Sequence, residues 1–161
     1  MTILIRAAFL SFILSFFSLT HAAVTEAPAI KLPAMNGEFD LDSLRGKVVY
    51  LDFWASWCKP CVKSFPWMQK LQDQYRDQGL EIVAVSLDQE EKLAYDFVKK
   101  MGVSLTVAFD TSGDVAEAYQ VIGVPSSYLI GRDGMIYASH TGFRDKDKSR
   151  LELAIQQLLK Q

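Results

Sequence analysis

The chemistry of this 161-residue chain centres on its two cysteines, which stand in the segment Trp57-Cys58-Lys59-Pro60-Cys61. If a helix begins after Cys58, residues three apart lie on the same side of its first turn, so the two sulfurs can approach within disulfide distance. A helix N-terminus carries partial positive charge, which favours a thiolate and lowers a cysteine pKa. The spacing therefore predicts a redox pair in which Cys58 attacks a disulfide and Cys61 resolves the mixed disulfide.

The two residues between the cysteines are candidates for tuning the redox potential. Pro60 removes a backbone donor that the first helical turn would leave unpaired, and Lys59 adds a positive charge. Half of a zinc site is the alternative for paired cysteines, but zinc needs four ligands. No second Cys-x-x-Cys pair is present, and one of only two histidines, His21, lies in a segment that we expect to be removed. We therefore expect no metal and no cofactor.

The elements that would hold this pair in place can be predicted from apolar spacing. Residues 48–53 form a β-rich run of the kind buried in parallel sheets. After Cys58, Pro66 would bend a helix and Gly79 would end it. The apolar residues that predict this helix recur three or four residues apart: Phe65, Met68, Leu71 and Tyr75. The cysteines are thus expected between a buried strand and a helix start.

Predicted strands and helices alternate through the rest of the chain, whereas residues 24–47 look irregular or weakly stranded. The predicted strands are 81–87, 105–109, 127–130 and 135–139, the last two joined as an antiparallel hairpin by the turn 131–134. The predicted helices are 90–101 with Leu93, Phe97 and Met101 on one face, 114–120, and a closing helix marked by Leu151, Ile155 and Leu158. This alternation indicates an α/β sandwich, and the hairpin makes its sheet mixed.

The first 22 residues have the composition of a signal peptide. Arg6 supplies the positive region, residues 7–19 are an uncharged stretch of 13, and Ala22 offers a small residue for cleavage. At about 1.5 Å per residue this stretch reaches only about 20 Å, short of the roughly 30 Å hydrocarbon core that an anchor must span. We therefore expect residues 1–22 to be a signal peptide, with a retained membrane anchor as the alternative. Residues 23–161 would form one domain working in the periplasm or another extracytoplasmic space.

Composition and charge narrow the classes of partner. Half of the residues are hydrophobic, enough to bury a core without structural disulfides, which leaves both cysteines free for chemistry. Seventeen Lys and Arg against nineteen Asp and Glu give a net charge of −2, with no basic run. Because basic runs are what grip phosphate backbones, nucleic acid is not expected as a partner. We expect the domain to act as a monomer.

The segment from Asp52 to Cys61, Asp-Phe-Trp-Ala-Ser-Trp-Cys-Lys-Pro-Cys, resembles the active-site stretch of thioredoxins. Gly123-Val124-Pro125-Ser126-Ser127 resembles the family's cis-proline loop, and Pro66 matches the proline that bends its active-site helix. The segment 28–47 and an extra strand and helix between Cys61 and Pro125 look like the exported TlpA/ResA-like branch. The resemblance, over about residues 26–160, implies a thioredoxin-like three-layer sandwich with a mixed central sheet, an N-terminal extension and a central strand–helix insertion.

Asp52 matches the buried acid of thioredoxins, which implies that it exchanges a proton with Cys61 during resolution. A buried carboxylate resists ionisation, so its pKa rises into a range useful for general acid–base catalysis. The alternative is a polar residue that faces a wet gap beside the sheet.

The cis-proline loop is the implied partner site. The resemblance makes Pro125 cis and places it opposite the cysteines, so the backbone of Val124 could pair with a substrate strand. Trp57 is a candidate exposed contact, whereas Trp54 and Trp67 are expected to pack in the interior.

The function implied by this resemblance is reduction of disulfides in exported proteins, with electrons from a membrane dithiol donor. Related dithiols span about −270 to −120 mV, so a disulfide oxidase or isomerase is the alternative. Cytochrome c maturation members often carry an acidic residue three positions after the second cysteine, where this chain has Ser64. That departure weakens apocytochromes as substrates.

Two other functions are known for folds or sites with such cysteines, a thiol peroxidase and a copper-binding module. Thiol peroxidases that share the fold place their cysteine in a Pro-x-x-x-Thr-x-x-Cys pattern, but Leu51 and Ala55 occupy the proline and threonine positions. A copper-binding module could use thiolates together with His140, since soft thiolates suit Cu(I). Such modules usually carry Cys-x-x-x-Cys, and His140 is more simply a strand or loop residue.

Overall fold

A computed structural model describes residues 24–161, which form an eight-stranded mixed sheet between two layers of helices and loops. The signal peptide predicted at residues 1–22 lies outside the described residues. In chain order the strands are β1 (Thr25–Glu26), β2 (Lys31–Ala34), β3 (Gly37–Asp40), β4 (Val48–Trp54), β5 (Leu80–Ser86), β6 (Thr106–Phe109), β7 (Ser126–Ile130) and β8 (Met135–Thr141). The helices are α1 (Lys59–Tyr75), α2 (Glu91–Met101), α3 (Asp114–Ala118) and α4 (Lys148–Leu159).

The sheet has the order β1-β8-β7-β4-β5-β6-β2-β3. Strands β4, β5 and β6 are parallel, and β7 runs antiparallel to β4 and forms the expected hairpin with β8. The predicted mixed α/β sandwich is confirmed. The strand–helix insertion is also present, as α2 and β6.

The core lies on both faces of β4, all seven residues of which are buried. Alternate residues of the strand point to opposite faces, so each face collects its own apolar cluster. Helices α1, α2 and α4 cover the face that carries Tyr50 and Trp54, and α3 with the N-terminal segment covers the face that carries Leu51 and Phe53.

The buried face of α2 differs from the one predicted. Its buried residues are Ala94 and Val98, with Phe97 and Met101 packed partly against them, whereas Leu93 is 46% exposed. The prediction selected the largest apolar side chains, but the helix buries Ala94 and Val98 most deeply and adds Phe97 beside them. Leu93 lies off that face.

The N-terminal segment is more ordered than predicted. Strands β2 and β3 form a hairpin that joins the sheet where Ala34 pairs with Ala108, and β1 pairs with β8 at the opposite edge. The turn at Gly37 has a φ of 107°, a left-handed value that glycine tolerates. Among residues 24–161, no helix is long and apolar enough to cross a membrane.

Candidate active site

The two cysteines lie where β4 ends and α1 begins. Cys58 is the N-cap of α1 and has extended backbone angles, and its sulfur accepts a hydrogen bond from the backbone N–H of Cys61 at 3.3 Å. The two sulfurs are joined in a disulfide. Pro60 lies in the first turn of the helix, where the lack of an N–H costs no hydrogen bond. The local geometry is that of a helix-capping redox pair.

Accessibility distinguishes the two sulfur-bearing residues. Cys61 is fully buried, whereas Cys58 retains 3% exposure beside Trp57, which is 71% exposed. Lys59 and Pro60 are also exposed. A partner can therefore approach Cys58, which is next to an exposed residue, more readily than the fully buried Cys61.

The loop before the cysteines is held by Asp88, which follows β5. Its carboxylate accepts hydrogen bonds from the backbone N–H of Ser56 at 2.9 Å, from the Ser56 hydroxyl at 2.8 Å and from the Ser86 hydroxyl at 3.0 Å. Asp88 is buried, so these bonds replace its hydration. Asp88 was not predicted from the sequence, although an acid at the carboxyl end of the strand next to β4 is a signal that could have identified it.

Asp52 lies in the middle of β4 on the face that α1 covers. It is 2% exposed, and its Oδ2 atom has no hydrogen-bond partner among residues 24–161. Burial raises the pKa of this carboxyl well above its ordinary value. Both Tyr50 and Trp54, two residues before and after it, belong to the apolar cluster that contains Cys61. The acid is therefore buried, as the resemblance implied, and it lies on the face of β4 that α1 covers.

The loop before β7 lies beside the end of β4, because Ser126 pairs with Phe53. The Val124–Pro125 peptide bond is cis, as the resemblance implied, and the Pro125 carbonyl accepts a hydrogen bond from the N–H of Gly142 at 2.8 Å. Within residues 24–161, neither the N–H nor the C=O of Val124 is hydrogen-bonded. This backbone is free to pair with another chain.

Trp54 and Trp67 are buried packing residues, as expected. Ile122, which was not predicted from the sequence, precedes the proline loop and is 92% exposed. Across the described part of the chain, no group of three or more metal-ligating side chains lies close enough to hold an ion.

Comparison with known proteins agrees with this geometry. A family model described as the AhpC/TSA family matches residues 24–139. Thiol-disulfide oxidoreductase ResA of Bacillus thuringiensis subsp. konkukian is 36% identical over 124 residues, which cover 76% of this chain and 72% of that protein. ResA of Bacillus cereus is 35% identical over 134 residues, covering 83% and 76%.

A solved structure extends the likeness to the fold. The crystal structure of a protein assigned as thiol:disulfide interchange protein DsbE from Chlorobium tepidum superposes with a TM-score of 0.83 at 44% identity, covering 84% of this chain and 96% of that one. The Cys-x-x-Cys pair at the start of α1, the thioredoxin-like fold and these relatives lead to one assignment. The chain belongs to the AhpC/TSA family, and it is a thioredoxin-like thiol-disulfide oxidoreductase.

Proposed function

We propose that this protein reduces disulfides in exported proteins through a cycle of its Cys58 and Cys61 thiols. The observation that carries the proposal is the N-cap geometry, in which the N–H of Cys61 already points at the Cys58 sulfur. A thiolate at that sulfur would keep the hydrogen bond and gain the helix N-terminal field.

Each reduction would proceed in two exchanges. The Cys58 thiolate attacks one sulfur of the substrate disulfide, which forms a mixed disulfide and releases the first substrate thiolate. Cys61 then loses its proton and attacks the Cys58 sulfur, which releases the second thiolate and leaves the Cys58–Cys61 disulfide. Two electrons pass to the substrate, and a membrane dithiol would restore both thiols.

Asp52 would act as the base for the second exchange. Its burial on the α1 side of β4 and its raised pKa suit a carboxyl that takes a proton from Cys61 and later gives it up. Lys59 and Pro60, the two residues between the cysteines, would tune the redox potential through charge and helix geometry.

The substrate would dock as an extended strand beside the proline loop. The unpaired backbone of Val124 supports this mode, in which main-chain hydrogen bonds give affinity. Pro125 would shape the floor of the site, and the exposed Trp57 ring would pack on the partner.

The proposal that the protein is exported rests on the signal-peptide composition of residues 1–22. The choice of reduction over oxidation rests on the likeness to the ResA-like branch.

Apocytochromes are less favoured as substrates, because Ser64 occupies the position where an acidic residue is usual. Its buried hydroxyl donates to the Cys61 carbonyl at 3.1 Å and brings no charge to the site.

Two measurements test the proposal. A reductase should have a potential near the low end of the range from about −270 to about −120 mV, whereas a value near the upper end would make the protein an oxidase. The Cys61→Ser variant, expressed with its own N-terminal segment, should accumulate mixed disulfides with exported proteins through Cys58. The Cys58→Ser/Cys61→Ser double variant is the control, and equal capture by it would refute the mechanism.

A further inference from the structure

Positive charge is concentrated in two short segments, residues 59–63 at the start of α1 and residues 144–150 around the start of α4. Six cationic side chains, which we call the basic ridge, belong to them: Lys59, Lys63, Arg144, Lys146, Lys148 and Arg150. The only acids in the two segments are Asp145 and Asp147, so six positive and two negative side chains give a net charge of +4. The whole chain, by contrast, has a net charge of −2.

The topology of the sheet brings the second segment to the same end of the molecule as the cysteines. Phe53, near the end of β4, lies opposite Ser126 of β7, and Ser126 lies opposite Thr141 at the end of β8. The chain that follows β8 then contacts the proline loop, because the N–H of Gly142 donates to the carbonyl of Pro125 at 2.8 Å. The basic residues after Gly142 therefore leave the sheet beside the proline loop.

Contacts with α1 join the two segments. The ring centroids of Phe143 and Trp67 are 5.3 Å apart, and Lys148 Nζ lies 5.6 Å from the centre of the Phe143 ring. Lys148 also lies 2.8 Å from Asp145 Oδ1. The hydrogen bond from Lys148 lowers the pKa of Asp145, and the nearby charge of Lys63 lowers it further. Lys63 is one helical turn before Trp67 on α1, so the basic ridge is continuous from α1 to the start of α4.

Half of the basic ridge is free of ion pairs. Within residues 24–161, the cations that are exposed and make no ion pair are Lys59, Lys63 and Lys146. The other three are held by Asp145, Asp147 or His140. The unpaired ammonium groups can therefore bind a ligand of opposite charge without first breaking a contact.

The other flank of the cysteines is acidic. Strand β5 lies on the opposite side of β4 from β7 and β8, and the chain that follows β5 carries the exposed Glu90 and Glu91. These acids come just after Asp88, which is held beside the cysteine loop by its bond from the N–H of Ser56. Cys58 thus lies between a basic and an acidic flank, an arrangement that orients a charged partner as well as attracting it.

We propose that the basic ridge binds an acidic segment of the protein whose disulfide Cys58 attacks. The inference rests on the proposed function and adds the chemistry of the partner, which is Asp or Glu side chains next to the reacting cysteine. A polypeptide is favoured over a lipid surface because the ridge adjoins the proline loop, where the open backbone of Val124 would receive a substrate strand. Three unpaired lysines are also fewer than the roughly four to eight cations of segments that bind anionic lipids.

Single-turnover oxidation of the reduced full-length protein tests this inference. The probes are three synthetic peptides with the same intramolecular disulfide, flanked by Glu, by Gln or by Lys. At about 10 mM salt, where the Debye length is about 30 Å, the second-order rate constant should be about tenfold higher for the Glu peptide than for the Gln peptide, and lowest for the Lys peptide. At about 1 M salt the Debye length falls to about 3 Å, and the three rates should converge.

Charge variants locate the effect on the ridge. Lys63→Gln/Lys146→Gln halves the net charge of the two segments, so the preference for the Glu peptide over the Gln peptide should fall to about threefold, and Lys63→Glu/Lys146→Glu should abolish it. The rate with the uncharged Gln peptide should not change, which also checks that the fold is intact. Lys59 is kept in all variants, because it is a candidate for tuning the redox potential.

The matched control is Lys99→Gln/Lys100→Gln, which makes the same change in net charge. These exposed lysines are in the last turn of α2, about 12 Å along the helix from its start near Asp88. This variant should keep the tenfold preference. An equal loss of preference in the control would assign the effect to the net charge of the protein and refute the ridge.

The outcomes separate this inference from the proposed function. Reduction of all three peptides at one rate in low salt would refute the ridge and leave the reductase standing. If no peptide were reduced, the proposed function would fail and the inference with it. Sedimentation with vesicles of phosphatidylglycerol or of phosphatidylcholine tests the lipid alternative. Binding to phosphatidylglycerol alone that is lost in Lys63→Gln/Lys146→Gln, together with peptide rates independent of flanking charge, would assign the ridge to a lipid surface instead.

Discussion

The backbone N–H of Cys61 points at the sulfur of Cys58 across 3.3 Å, so the second cysteine of the pair helps to stabilise the first. This contact exists because Cys58 caps α1 with extended backbone angles, which turns its side chain back over the first helical turn. In most helices a side-chain oxygen fills this capping role. In this protein the hydrogen bond to the Cys58 sulfur would favour the thiolate over the thiol.

We expect Cys58 to be the reactive thiol, with an apparent pKa below the free value of about 8.5. The measurement is alkylation of the reduced protein across pH, with mass spectrometry to identify the labelled cysteine. Cys58 should be labelled first, because it is less buried than Cys61 and caps the N-terminus of α1, whose field favours a thiolate. Faster labelling of Cys61 would reverse the assignment.

Asp52 should make the protein less stable as pH rises. Its folded-state pKa is raised by burial, so between about pH 3.9, the unfolded value, and the folded pKa the folded protein holds a proton that the unfolded chain has lost. The stabilisation is complete at low pH and disappears as pH rises through the folded pKa.

Asp52→Asn should therefore stabilise the protein more at pH 8 than at pH 4, because only the aspartate loses its stabilising proton as the pH rises. Urea unfolding of both oxidised proteins at the two pH values gives this difference. A free-energy difference that does not change with pH would mean that Asp52 titrates normally.

Asp88 should matter for both stability and rate. Asp88→Ala removes the acceptor of the Ser56 N–H and hydroxyl, which should lower the free energy of unfolding by about 3 kcal/mol. It should also slow the reaction of Cys58, because the loop that ends at Cys58 loses its anchor. The matched control is Asp96→Ala, since Asp96 makes an exposed ion pair with Lys92 worth less than about 1 kcal/mol. If both variants lost the same free energy of unfolding, the buried hydrogen bonds of Asp88 would contribute no more than an exposed ion pair.

Local spacing was sufficient to predict the elements around the cysteines. The strand at 48–53 and the helix after Cys58 follow from apolar periodicity, and Phe65, Met68, Leu71 and Tyr75 are all buried. Periodicity fails where two faces of a helix are both partly apolar, as in α2. In α2 the small Ala94 is buried against the core and the larger Leu93 is exposed.

Lateral neighbours in the sheet could not be predicted, because they depend on the register between distant strands. Asp52, Ser127 and His140 are separated by 75 and 13 residues, and only the pairings of β4 with β7 and of β7 with β8 align them. Asp88 and Ser56 come together for the same reason, at the ends of parallel neighbours β4 and β5.

Two exposed apolar residues, one next to Cys58 and one before the proline loop, should select protein substrates over small disulfides. Trp57 is 71% exposed and Ile122 is 92% exposed, values that are high for large apolar side chains and that suggest contact with a partner. Trp57→Ala and Ile122→Ser should each lower kcat/KM for a protein disulfide about tenfold, the equivalent of about 1.4 kcal/mol of binding in the transition state.

The same variants should change the rate with a small aromatic disulfide less than about twofold, because that substrate reaches Cys58 without covering the surrounding surface. Leu153→Ser is the matched control: Leu153 is also exposed, at 54%, but it lies on α4, which is remote in sequence from the cysteines. It should leave both rates unchanged. Equal losses on both substrates would place Trp57 and Ile122 in the chemistry or the folding of the site, whereas unchanged rates on the protein disulfide would remove them from the docking surface.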